Sequence, residues 1–459
     1  MHTLLADRTR RETAMTQDRF LRDPIGMLML VLSAFILGYG GVGWIETPFR
    51  IKFFEAWAGA IFSGIEVIIL LLPCLAMIRR IVSDDFYISP SRLTMPVVLL
   101  ALYMAIIPFI RMTFAEGGFR IPMEANFVPF FIIMFFTWRL IFHPSDVRLM
   151  VWMLIVCIGF RCVEGVAIWF SNDIIWGLLT GWRDGLLLSL GLCGALFAYV
   201  IRPEGEEWYA KIRKALYMIF PLVIFVFIAS MRRSYMLGLV LTIPILAFYL
   251  KPAERKRLFR ILLLVAPLFI AAIFIVGADR FTNRISGITS PGEESSAAWR
   301  VIEYYNVYRM ALERPLFGWP WGFAFINYTG IELTWLNILI PHNVYLYVVM
   351  RSGLVGLVFF IWLIWRYVRL SLDTVRNTPS PGYRFLALWM ASATFLVVTS
   401  GITNPVFASK LIILIPFLMT LTSFLPGAIR SNNKGEKKSL AYYHDSADLF
   451  VKERNHSSF

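Results

Sequence analysis

The sequence predicts an all-α, polytopic integral membrane protein. Of its 459 residues, 58% are hydrophobic and only 16% are charged, and the mean hydropathy is +0.67. Soluble domains are usually about 45–50% apolar and about 25% charged. Apolar runs of roughly 20 residues, enough for a helix to cross the hydrocarbon of a bilayer, recur along most of the chain. These observations exclude a soluble globular fold.

The apolar runs predict about 12 transmembrane helices. They lie at residues 25–43, 56–78, 93–110, 126–142, 147–170, 185–201, 214–230, 234–250, 258–277, 342–365, 383–401 and 405–425. One large loop, residues 278–341, separates the ninth helix from the tenth. The chain therefore divides into a tail (1–24), nine helices (25–277), the loop (278–341), three helices (342–425) and a second tail (426–459). The composition of the second tail is typical of disorder.

The positive charges predict the orientation. When the N-terminus is placed in the cytoplasm, most of the 44 lysines and arginines fall on inner segments. This bias is the positive-inside pattern, so both termini are expected in the cytoplasm and the large loop outside. The net charge of +14 is then explained by topology and by anionic membrane lipids. Nucleic acid is not an expected partner.

The outer loop contains an amphipathic helix. From Ser295 to Glu313, apolar side chains recur at spacings of three or four, and Arg300 lies on the polar face between them. Pro315 and Gly318 then interrupt the helical pattern. We expect this helix to lie as a lid across the outer surface of the bundle.

One histidine is predicted to face outward at the start of the tenth transmembrane helix. His342 comes directly after the loop, between Pro341 and Asn343. Histidine is suited to proton transfer near neutral pH because its unperturbed pKa is about 6.5. His342 is therefore the candidate general base. The alternative is that it only caps its helix.

Four arginines are candidates for binding an anionic group on the same side. Arg232 and Arg233 occupy a tight outer turn between the seventh and eighth helices, and Arg300 lies on the lid. Arg351 is about 13 Å of helix rise below His342. Guanidinium groups suit phosphate oxygens, and charges near the apolar slab usually have a partner. The alternatives are lipid-headgroup anchors for Arg232 and Arg233, a solvated charge for Arg300 and a carboxylate partner for Arg351.

Three elements within roughly residues 225–370 resemble a known family. They are Arg232–Gly238, then Trp299-Arg300 with Glu313–Gly322, and then Pro341-His342-Asn343 with Gly353 and Gly356. In this order they are similar to the O-antigen ligase and polymerase family of bacterial membrane glycosyltransferases. The first element departs from the family pattern, since Met231 stands where serine is usual and two arginines follow it. The spacing to Gly238 favours Arg233 over Arg232.

The resemblance implies a GT-C-like fold in the bacterial inner membrane and a transfer reaction at its periplasmic face. The donor would be a glycan on a polyprenyl diphosphate, and the acceptor a sugar hydroxyl on a glycan or on lipid A-core. His342 would be catalytic, while Arg233, Arg232, Arg300 and Arg351 would bind the diphosphate. No cofactor is expected. No metal is expected either, because Glu46 and Glu55 in the first outer loop form no Asp-x-Asp pair.

Several activities fit this resemblance. A polymerase that joins repeat units of O-antigen or exopolysaccharide is the first choice, because no feature is dedicated to docking a large lipid acceptor. A ligase that moves the finished glycan to lipid A-core is the main alternative. A protein O-oligosaccharyltransferase fits less well. A flippase for the lipid-linked unit is the alternative from another class, and a chain-length regulator is a candidate partner.

Overall fold

The computed structural model describes residues 23–39, 64–83, 90–113, 127–171, 184–202, 206–230, 233–276, 295–319, 326–329, 341–403 and 411–433. Within these ranges the chain is helical and contains no β-strand. Both predicted tails lie outside the described residues, apart from Asp23, Pro24 and the residues of 426–433. Glu46, Glu55 and Arg232 also lie outside them.

The helices follow the order that the apolar runs predict. They are α1 (Pro24–Tyr39), α2 (Gly64–Val82), α3 (Thr94–Thr113), α4 (Phe127–Ile141), α5 (Val147–Ser171), α6 (Gly185–Val200), α7 (Glu207–Ser230), α8 (Arg233–Ala247), α9 (Pro252–Val276), α10 (Ser295–Glu313), α11 (Val344–Arg376), α12 (Pro381–Ser400) and α13 (Leu411–Asn433). Each predicted apolar run overlaps one helix, and α10 has the bounds that the amphipathic pattern predicts.

Five described helices are both long and apolar enough to cross a membrane. They are Pro144–Phe170, Glu207–Ser230, Val344–Arg376, Pro381–Ser400 and Ile413–Arg430. Shorter apolar helices lie at Pro24–Leu37, Thr94–Met104, Phe130–Ile141, Gly185–Val200 and Ser234–Ala247. The protein is therefore a multi-pass membrane protein. The count of about 12 spans, the outer position of the loop and the domain boundaries stay predictions.

Helix α12 lies at the centre of the bundle, and its residues 382–394 are all buried. It packs against α6, α8, α11 and α13. The Trp389 indole is accommodated because residue 194 is glycine, where a Cβ would lie 2.7 Å from the ring. The indole N–H of Trp389 donates to the Leu190 carbonyl at 2.7 Å, so the polar group of the largest buried side chain of α12 has a hydrogen-bond partner.

The first residues of α12 are fixed by ionic contacts at one end of the bundle. The Arg384 guanidinium donates to both carboxylate oxygens of Glu254, at 3.2 and 3.1 Å, and to the Tyr249 carbonyl at 2.8 Å. Glu206 accepts from the Ser380 hydroxyl at 2.6 Å, next to the N-terminus of α12. These contacts fix one end of α12, and its other end, at Ser400, reaches the candidate site.

Candidate functional site

The C-terminal end of α12 is the meeting point of three segments. The Val344 N–H, at the start of α11, donates to the Gly401 carbonyl at 2.9 Å. The first turn of α11 is also bound to α12 through the Tyr345 hydroxyl, which donates to the Val398 carbonyl at 2.9 Å. From α10, the Tyr304 hydroxyl donates to the Ile402 carbonyl at 3.2 Å. The lid helix and the histidine segment are therefore held on the same end of the same helix.

Helix α8 reaches this end of the bundle as well. A Cβ on Gly238 would lie 3.1 Å from the Thr399 hydroxyl oxygen, so α8 and α12 approach closely there because residue 238 is glycine. Arg233 begins α8 five residues earlier, about 7.5 Å of helix rise towards the same end. The structure thus brings the backbone of the first family element towards the other two. Arg232 lies outside the described residues.

Asn343, and not His342, caps helix α11. Its side-chain oxygen accepts from the N–H groups of Tyr345 and Leu346, at 2.9 and 3.0 Å, and its backbone is extended. This is the geometry of an N-cap. The alternative that His342 is only a cap is therefore wrong, and its imidazole is available for other contacts.

The His342 imidazole contacts a carboxylate on the lid helix. Its Nδ1 lies 2.8 Å from Oε2 of Glu303, in the middle of α10. The other carboxylate oxygen of Glu303 accepts from the backbone N–H of His342. Both side chains are partly exposed, 38% for His342 and 18% for Glu303. A single carboxylate thus fixes the histidine through both its backbone and its ring, while the side chain stays partly exposed.

Arg300 and Tyr304 lie on α10 on either side of Glu303. Arg300 is half-buried and three residues before Glu303, so their side chains emerge on neighbouring positions of the helix surface. Burial raises the pKa of the Tyr304 hydroxyl, and Glu303 adds to this, whereas Arg300 and Asn343 oppose it. The hydroxyl of Tyr304 is therefore neutral near pH 7 and acts as a hydrogen-bonding group.

Helix α11 is interrupted at Gly353, below the histidine. Gly353 has φ of 64° and ψ of −166°, a conformation that only glycine adopts readily. The interruption frees the carbonyl of Ser352, which accepts from the Tyr103 hydroxyl of α3 at 2.8 Å. It also frees the N–H of Leu354, which donates to the Pro315 carbonyl at 2.8 Å. The segment that follows the lid helix therefore completes the hydrogen bonding of α11.

Residues 315–319 fit tightly into this interruption. The Trp319 N–H donates to the Met350 carbonyl at 2.7 Å. Gly318 has φ of 66°, and a Cβ there would lie 2.6 Å from the backbone of Arg351. A Cβ on Gly353 would lie 2.2 Å from the Leu316 carbonyl. Gly318 of the second family element and Gly353 of the third thus allow the close approach of two backbones.

Arg351 is placed at this interruption and not beside His342. Its side chain is 1% exposed, and it lies directly before Ser352 and Gly353 in α11. About 13 Å of helix rise separates it from His342. Arg300 lies on α10, the helix that carries the carboxylate in contact with His342.

Within the described ranges, no group of three or more His, Cys, Asp or Glu side chains could hold a metal ion. The site is instead defined by an imidazole, a carboxylate, a phenol and a guanidinium on α10 and α11. Its closest pair, Glu303 and His342, joins the helix within the predicted outer loop to the residue that directly follows that loop.

A comparison with protein families supports the class that the sequence predicts. Residues 216–361 match the family described as O-antigen ligase. The match confirms the predicted resemblance to the O-antigen ligase and polymerase family, because all three elements lie inside the matched segment. It supports a membrane glycosyltransferase of the ligase or polymerase type. Comparison with curated proteins found no match.

Glu303 is the site residue that sequence reasoning missed. The loop contains five glutamates, namely Glu293, Glu294, Glu303, Glu313 and Glu332. The available signal was that Glu303 shares the polar face of the amphipathic helix with Arg300. Which carboxylate meets His342 depends on how α10 docks, and that docking is set by the interruption in α11.

Proposed function

We propose that this protein transfers a glycan from a polyprenyl diphosphate carrier to a sugar hydroxyl at the periplasmic face of the bacterial inner membrane. In the reaction, the acceptor oxygen forms a bond to the anomeric carbon of the donor. The bond from that carbon to the diphosphate oxygen breaks, and the diphosphate leaves on its lipid. The acceptor hydroxyl loses a proton, and the leaving group gains negative charge. The site needs a base and a source of positive charge.

His342 is the proposed base, and Glu303 positions it. The observation that carries the proposal is the 2.8 Å contact between Nδ1 of His342 and the Glu303 carboxylate. A carboxylate at Nδ1 favours the tautomer with the proton on Nδ1 and the lone pair on Nε2. Nε2 can then accept the proton of the acceptor hydroxyl. Proton transfer of this kind typically contributes about 10²–10⁴-fold to a rate.

Arginines are proposed to stabilise the diphosphate. Arg300 is the best-supported of them, because it lies one helical turn from Glu303 on the lid helix. Arg233, with Arg232 beside it in the sequence, begins the helix that packs by Gly238 against the same end of α12. Arg351 would act deeper in the bundle. Guanidinium groups bind phosphate oxygens in a bidentate manner and can offset developing charge without a metal ion.

Within this class, a repeat-unit polymerase for O-antigen or exopolysaccharide is the activity we propose first. An O-antigen ligase that uses lipid A-core as acceptor is the second candidate, and the description of the matched family favours it. Both use the same base and the same leaving group, and they differ only in the acceptor. A chain-length regulator is a proposed partner of the polymerase alone.

The test is the glycan content of cells that lack the protein. Single repeat units without long chains would support the polymerase. Long chains that accumulate on the polyprenyl carrier, with bare lipid A-core, would support the ligase. Purified protein that leaves lipid-linked glycan chemically unchanged with every acceptor tried would contradict a transferase and favour a flippase.

A further inference from the structure

A second polar site lies at the end of the bundle opposite His342. It is a groove of about 660 Å³ lined by Ile245, Phe248, Tyr249, Arg376 and Arg384. Arg384 is near the start of α12, whereas the His342 segment binds at its end, about 24 Å of helix rise away. That separation is close to the thickness of the bilayer hydrocarbon, about 30 Å. The two sites therefore lie at opposite ends of the bundle, with the separation expected of sites at the two interfaces of a membrane.

The two arginines of the groove have different environments. Arg384 is largely buried and donates to both oxygens of the Glu254 carboxylate, so its charge is neutralised. Arg376 is exposed, and its guanidinium carbon lies 5.3 Å from the centre of the Tyr249 ring. Among the described residues, no carboxylate forms an ion pair with Arg376. The groove thus contains a neutralised ion pair, Arg384 with Glu254, and one accessible cation, Arg376.

An apolar surface continues from the groove along α8. The exposed side chains are Leu237, Val240, Leu241 and Phe248, at helical spacings that place them on one face. The exposed Lys251 lies between α8 and α9, and the exposed Arg255 lies in the first turn of α9. This arrangement of a cation at the interface above an apolar helix face matches a phospholipid, whose headgroup and acyl chain have the same order.

We propose that this groove binds an anionic phospholipid, with its phosphate on Arg376 and an acyl chain along α8. Basic pockets between transmembrane helices on the cytoplasmic side bind anionic headgroups in other proteins. The excess of one positive charge favours an anionic lipid over a zwitterionic one. The site is independent of glycan transfer, so its test does not depend on the activity proposed above.

The test is native mass spectrometry of the full-length protein in detergent, titrated with phosphatidylglycerol or with phosphatidylcholine of the same acyl chains. Wild type is expected to bind phosphatidylglycerol more tightly. Arg376→Gln should weaken phosphatidylglycerol binding about fivefold, the effect of one interfacial cation, and weaken phosphatidylcholine binding less, because its own ammonium group offsets the charge of its phosphate. Arg369→Gln is the matched control, because Arg369 is an exposed arginine of the same helix outside the groove. It should bind both lipids as wild type does.

Three results would overturn the proposal. Equal affinity of the wild-type protein for the two lipids would contradict selectivity for an anionic headgroup. Equal weakening by Arg376→Gln and Arg369→Gln would leave only a general effect of surface charge. Displacement of the lipid by millimolar inorganic phosphate would assign the groove to a soluble phosphate compound. Arg376→Lys, which keeps the charge, is expected to retain part of the selectivity and guards against an effect of altered folding.

Discussion

Glu303 and His342 are 39 residues apart in the chain, and their side chains lie 2.8 Å apart in the fold. The contact joins the middle of the lid helix to the residue that precedes the cap of α11. Since the same carboxylate also accepts from the His342 backbone N–H, a displacement of α10 would affect both the position and the orientation of the imidazole. Helix α10 is therefore part of the proposed catalytic site.

The first prediction concerns the proposed base. His342→Ala should lower kcat by about 10²–10⁴-fold, because the acceptor hydroxyl then lacks a positioned base. The measurement is turnover of lipid-linked glycan by purified protein, with the amount of folded protein checked by thermal unfolding. Full activity in this variant would contradict the mechanism even if the class of enzyme were right.

Glu303→Gln tests the positioning role. The amide keeps the size of the side chain but loses the charge, so we expect kcat to fall about 10- to 100-fold, part of what a general base contributes. The KM for the glycan donor should stay close to that of wild type, which separates positioning from binding. Glu303→Asp is expected to recover part of the activity. Glu313→Gln, an exposed glutamate of the same helix, is the control and should have no effect.

Arg300 is predicted to stabilise the leaving diphosphate. Arg300→Gln should lower kcat/KM about 10²–10³-fold, the range seen when one preorganised donor to developing charge is removed. Arg300→Lys should be intermediate, because lysine keeps the charge and loses the bidentate geometry. Arg309→Gln removes an exposed arginine of the same helix and serves as the control. Equal losses in Arg300→Gln and Arg309→Gln would argue for a general effect of charge on the lid.

The interruption of α11 is predicted to need glycine. Gly353→Ala should lower the free energy of unfolding by at least about 1–3 kcal/mol, the cost of a side chain in this backbone conformation. The clash with the Leu316 backbone adds to that cost. Thermal unfolding in detergent measures the difference. Gly159→Ala is the matched control, since a Cβ there would have ordinary contact with Ile219 at 3.7 Å. A Gly353→Ala protein as stable as this control would contradict the described interruption.

The last prediction concerns a buried ionic cluster between α5 and α6. Arg161 donates to both oxygens of Asp184, at 3.1 and 2.6 Å, and also pairs with Glu164. Asp184→Ala should cost about 3–5 kcal/mol of unfolding free energy, because it removes the main partner of a buried charge. The double variant Arg161→Met with Asp184→Leu should recover much of that loss. A double variant as unstable as the single one would show that the charges themselves are required.

Much of the fold could be predicted from sequence, because apolar runs and amphipathic spacing are local properties. The bounds of α10, Ser295–Glu313, follow from the spacing of its apolar side chains. Pairing between helices could not be predicted in the same way. Arg161 and Glu164 are three residues apart on one helix, a spacing that indicates contact, whereas Asp184 is the N-cap residue of the next helix and gives no local signal.

The candidate site was predicted in part for the same reason. His342 was found from its position at the start of an apolar helix, and a cap was considered for His342 alone. The structure assigns the cap to Asn343, whose side chain accepts from two backbone N–H groups. Glu303 was missed because its role depends on the docking of α10. The motif glycines at 318 and 353 were recognised from family resemblance, and only the backbone contacts explain why a side chain is excluded there.

The interruption at Gly353 also constrains how the protein is made. Backbone groups without partners are costly in hydrocarbon, by several kcal/mol each. The N–H of Leu354 and the carbonyl of Met350 find their partners in residues 315–319, which belong to the segment before α11. The first part of α11 therefore reaches its final structure only after that segment has docked. We therefore expect membrane insertion of α11 and docking of residues 315–319 to be coupled.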